Sequence, residues 1–74
     1  MPNPFQHYVR VRFDRPIEAG TLVRMANAEG RLVLEQPLAD AETLLHLNHL
    51  PAGMYMLQVL QGEAVRTWRL VKTE

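Results

Sequence analysis

Apolar and polar side chains alternate along this chain in short runs, each closed within about ten residues by glycine, proline or asparagine. A period of two places successive side chains on opposite faces of a pleated strand, whereas a helix repeats every 3.6 residues. Tyr8–Phe13 sets Val9, Val11 and Phe13 on one side and Tyr8, Arg10 and Arg12 on the other. Thr21–Ala26 sets Val23 and Met25 against Leu22, Arg24 and Ala26. Further strands are predicted over Arg31–Gln36, Thr43–Leu47, Met54–Leu60 and Ala64–Val71. In Thr43–Leu47, Leu45 and Leu47 oppose Leu44 and His46; in the last strand Trp68 and Leu70 oppose Val65 and Val71. About six or seven short strands at this spacing predict an all-β, immunoglobulin-like antiparallel β-sandwich.

The punctuation supports this reading. Pro2 and Pro4 keep the first residues extended and forbid a helix there. Gly30, in Asn27-Ala28-Glu29-Gly30, is expected at a positive φ inside a hairpin. Asn48–Gly53 predicts a tight corner, and Gln61-Gly62-Glu63 a last hairpin. Pro37 is expected to stop its strand and Leu38–Glu42 to form a polar connection. That region also carries helix formers, compatible with a short helical turn near Ala39–Ala41.

Size and charge narrow the function classes. With 74 residues there is one small domain and no cysteine to staple it. The 8 basic and 8 acidic residues cancel, so the chain has no general attraction to nucleic acid or anionic lipid. The longest apolar run, Met54–Leu57, falls far short of the roughly 20 residues of a membrane helix. Met1-Pro2-Asn3-Pro4 lacks the basic and apolar regions of a secretory signal.

Residues able to do chemistry do not converge. His46 and His49 are three apart but fall on a strand and a corner, with no carboxylate cluster to join them. There is no serine, and Thr21, Thr43, Thr67 and Thr73 have no base nearby in the sequence. Neither a catalytic residue, a metal site nor a cofactor is expected. Arg10 and Arg12 share a strand face, whereas Arg66 and Arg69 take opposite faces of the last strand. The plain reading is a solvated sheet surface paired with glutamates across strands. Trp68 is expected in the core.

Four segments stand in a definite order: Pro2-Asn3-Pro4-Phe5, Asn27–Val33 with its Gly30-Arg31, Leu50-Pro51-Ala52-Gly53-Met54-Tyr55, and Arg69-Leu70-Val71-Lys72. Together they resemble the C-terminal sorting domain of the type IX (Por) secretion system of Bacteroidetes, over essentially the whole chain. Met1 stands where that family has an aromatic residue, His49 replaces a small polar one, and Thr73-Glu74 extend past the usual lysine. The resemblance implies residues 1–74 are one sorting domain excised from a larger secreted protein. It implies a domain fused behind a cargo, recognised in the periplasm by type IX machinery, carried by the outer-membrane translocon and cleaved by a sortase. The cargo is then left at the cell surface, on the outer membrane or outside the cell. Pro2, Asn3, Pro4, Gly30, Leu50, Pro51, Gly53 and Tyr55 would then be structural, and Arg69, Leu70, Val71 and Lys72 would be read by the receptor, the last strand offering a free edge. Two further readings stand beside it: an immunoglobulin-like module binding carbohydrate or protein, and self-association into a homodimer through edge strands.

Overall fold

A computed structural model describes residues 3–74, with the side chain of Asn3 excepted. Seven strands follow in chain order: β1 (Asn3–Phe5), β2 (Tyr8–Arg12), β3 (Leu22–Asn27), β4 (Leu32–Pro37), β5 (Glu42–His46), β6 (Gly53–Gln61) and β7 (Ala64–Lys72). They form two layers, a five-stranded sheet in the order β1-β7-β6-β3-β4 and a two-stranded sheet, β2-β5. All pairings are antiparallel except β1 with β7. This is the predicted all-β sandwich, with unequal sheets.

The alternation seen in the sequence becomes the core. Val23 and Met25 of β3, and Tyr55, Leu57 and Val59 of β6, turn inward from the large sheet. Val11 of β2, Leu45 of β5 and Leu47 just beyond it meet them from the other side. Leu44 and His46, one residue out of phase, are exposed. A slip of one residue in either sheet would exchange these sets, so burial itself pins the register.

Turn chemistry joins the strands. Asn27 and Arg31 close a three-residue loop in which Gly30 has φ 84°, beyond easy reach of a residue with a Cβ. The Asn27 Oδ1 accepts the backbone N–H groups of Glu29 (3.0 Å) and Arg31 (2.9 Å), holding the loop from inside. A bulge opposite Met25 and Ala26 adds one residue to β4 at Val33. The β6–β7 hairpin turns on Gly62-Glu63; only Gly62 has positive φ (60°), the pattern of a type II′ turn.

Several expectations need correction. No helix occurs among the described residues, so the Ala39–Ala41 turn is absent. The Leu38–Glu42 connection is not wholly polar: Leu38 is buried, and its N–H donates to the Thr21 carbonyl at 2.9 Å. A single leucine between two sheets carries no periodicity, so its burial left no pattern to read. Pro37 does end β4, as its last residue and in register with Leu22; β4 is an edge strand, where a missing N–H need not break a ladder. Trp68 is not core but 38% exposed, because the two-stranded sheet is too narrow to cover the far side of the five-stranded one.

Candidate functional site

The corner before β6 is built around one hydroxyl. Gly53 takes φ 151°, a backbone shape reserved in practice for glycine, and turns the chain into the strand. Two residues on, the Tyr55 ring enters the core edge-on to Phe5, ring centres 6.5 Å apart. Its hydroxyl donates back to the Pro51 carbonyl at 2.5 Å. A tyrosine at the start of this strand, bonded to backbone a few residues upstream, is the tyrosine corner of immunoglobulin-like sandwiches. Leu50 packs against the core beside it, with its N–H on the Leu47 carbonyl at 3.1 Å. Replacing Tyr55 by phenylalanine keeps the ring and removes this hydrogen bond. It is expected to cost about 1 kcal/mol and to lower the melting temperature by about 4–8 °C. An unchanged thermal melt would show that the hydroxyl bond contributes nothing.

The final strand is anchored on both sides at its end. β6 pairs along all of β7, while Asn3, Pro4 and Phe5 pair in parallel with Leu70, Val71 and Lys72. The Phe5 carbonyl accepts the Thr73 N–H at 2.8 Å, and the Gln6 side chain donates to the Glu74 carbonyl at 3.0 Å. So the expectation that the last strand is a free edge fails at residues 70–72; among the described residues, Ala64–Arg69 have no second neighbour. A three-residue strand containing Pro4 is too short to announce itself in the sequence. Pro2 lies outside the described residues.

The four candidate recognition residues therefore divide. Leu70 is a core residue, 4% exposed, and Lys72 is nearly as covered at 8%. Arg69 is exposed and Val71 half-buried on the opposite, outward face of the large sheet. Their cross-strand partners there are Met56 and Met54, both exposed. Arg69 thus stands as a cation beside an apolar strip of methionine and valine. The sequence reading missed the methionines, although the unbroken run Met54–Leu57 signalled that β6 is apolar on both faces.

The remaining candidates are dispersed. Arg10 reaches Glu42 at 3.8 Å, diagonally across β2 and β5, and Arg24 pairs with Glu35 across β3 and β4. Both pairs are exposed and worth little on their own. His46 lies on the outward face of β5 and His49 in the exposed turn that follows. No group of three or more His, Asp or Glu side chains among the described residues is placed to hold a metal. Such a surface offers docking by shape, charge and apolar contact.

Residues 1–73 match the family model described as "Secretion system C-terminal sorting domain". No curated protein matches the chain, and no solved structure does.

Proposed function

The chain belongs to the family of secretion system C-terminal sorting domains, and on that premise we propose that it is the export address of a cargo fused ahead of it. Family membership places the sorting route as type IX secretion and the destination as the outer membrane, the cell surface or the medium. The domain is a passenger of that machinery and does no chemistry of its own. It folds in the periplasm, is docked by the outer-membrane translocon, and is removed by a sortase as the cargo is attached to the surface.

Recognition falls to the outward face of the last two strands. The observation that carries this is the division of the closing motif: Leu70 and Lys72 hold the fold, while Arg69 and Val71 lie outward beside Met54 and Met56. Exposed apolar side chains around one cation make an interface centre that a receptor can bury. Because β1 occupies the edge of β7 at residues 70–72, the receptor docks on the face rather than adding a strand at the terminus.

The test fuses the domain behind a reporter with its own inner-membrane signal, in a cell with a type IX system. The reporter is expected outside the outer membrane, and Arg69→Glu is expected to reduce delivery by about tenfold with the thermal melt unchanged. A reporter that stays in the periplasm with the intact domain would refute the export role. Normal delivery of Arg69→Glu would refute this face as the one that is read.

A further inference from the structure

The unequal sheets leave a cleft, and its walls define what fits there. Among the described residues β2 has one sheet neighbour, β5. The Leu47 N–H bonds to the His7 carbonyl (2.7 Å) and the Phe13 N–H to the Ala41 carbonyl (2.8 Å). Antiparallel ladders alternate, so residues 7, 9, 11 and 13 turn their backbone groups toward β5. Tyr8, Arg10 and Arg12 therefore point theirs away, along an open edge. A cleft of about 1020 Å³ runs beside that edge. Side chains from both faces of β2 line it, as a groove along a strand's edge requires. Its floor is the inner side of the large sheet, where Arg66 and Trp68 are exposed beside the buried core residues Leu57 and Val59. Sites for drug-sized ligands occupy about 300–1,000 Å³, so the space admits a polypeptide backbone.

We propose that this cleft binds an extended acidic peptide of a partner protein, which adds as a strand to the open edge of β2 and closes the sandwich over Trp68. Charge selects the occupant. Four arginines line the cleft, Arg10, Arg12, Arg15 and Arg66, against two carboxylates, Asp14 and Glu18. Only Arg10 has a carboxylate partner within salt-bridge distance among the described residues, and that is Glu42, across on β5. Five residues of β2, at about 3.3 Å each, set the length of the added strand. On that strand one set of side chains faces inward toward Trp68, and the alternate set lies beside Arg10 and Arg12. The ligand is thus an alternation of apolar and acidic residues: backbone bonds supply affinity and the alternation supplies selectivity. This site is separate from the Arg69 face and does not depend on the export role, since binding is read on the purified chain.

The probe is the capped hexapeptide Glu-Val-Glu-Val-Glu-Val, followed by the fluorescence of Trp68, the sole tryptophan, and by hydrogen exchange of single amides. Saturable binding is expected, with a shifted Trp68 emission and slowed exchange at Tyr8, Arg10 and Arg12. Arg12→Gln, at an exposed position, should weaken binding severalfold and leave the thermal melt unchanged, whereas a glutamate there would face Glu42 across the ladder. Methylating alternate peptide nitrogens should abolish binding, because strand addition needs those donors. Undiminished binding of the methylated peptide, protection confined to other strands, or no binding at millimolar peptide would overturn the proposal. So would a sulfated oligosaccharide binding where the peptide does not, which would make the cleft an anion site without strand addition. A homodimer that protects the same three amides in the absence of peptide would overturn it too, by giving the edge to a second copy.

Discussion

Replacing Leu47 by alanine is expected to leave the domain largely unfolded near physiological temperature. Leu47 is 1% exposed and one of the largest side chains wholly enclosed between the sheets. Truncating such a leucine removes its transfer energy and leaves a cavity, together about 2–5 kcal/mol. A single core in a chain of this length, without disulfides, supplies only about 3–5 kcal/mol in total. The loss is therefore comparable with the whole stability, and the melting temperature should fall by roughly 10 °C or more. Leu44→Ala is the internal control. Leu44 belongs to the same run of leucines but is 43% exposed on the outward face of β5, so its truncation should change stability by about 0.5 kcal/mol or less. Equal effects of the two substitutions would mean that the register of β5 has been misassigned.

Removing residues 69–74 has the second large effect, for a reason that bears on the sorting signal. The deletion takes Leu70 out of the core and leaves β1 with no strand to pair with. It also strips β6 of its partner from Gly53 to Met56, where Tyr55 sits opposite Leu70. A cargo carrying this truncation should remain inside the outer membrane, and the isolated domain should show no cooperative thermal transition. That result alone would not separate a lost address from a lost fold, which is why Arg69→Glu is the cleaner probe. A truncated domain that still melts cooperatively would show that the last strand is dispensable for folding.

Much of the fold was legible because one face of most strands is buried. Val23 and Met25, or Leu45 and Leu47, announce themselves by alternation, and their turns by Gly30 and Gly62. What escaped notice depends on contacts across the sequence. Leu38 is a lone core residue in a connection, β1 is three residues held only by pairing with β7, and Trp68 is exposed because the opposite sheet ends before reaching it. The closing motif shows the same limit at the proposed recognition surface. As a motif, Arg69-Leu70-Val71-Lys72 groups as one recognition unit, although the alternation of the last strand already sets Leu70 and Val71 on opposite faces. As a strand it is two interior and two outward positions, and only the pairing with β6 brings Met54 and Met56 alongside. The open edge of β2 was equally invisible, since no local pattern records a missing neighbour.

The most direct test of the central claim, that a folded sheet surface and not a linear tail is the address, compares two fusions in the same type IX-competent cell. One carries the intact domain and the other Leu47→Ala, in which the closing residues 69–72 are unchanged but no longer held on a sheet. Surface-exposed reporter is measured by protease accessibility on intact cells, with periplasmic levels as the reference. The account predicts delivery with the intact domain and little or none with Leu47→Ala. Equal delivery by both, with the variant verified as unfolded, would contradict it.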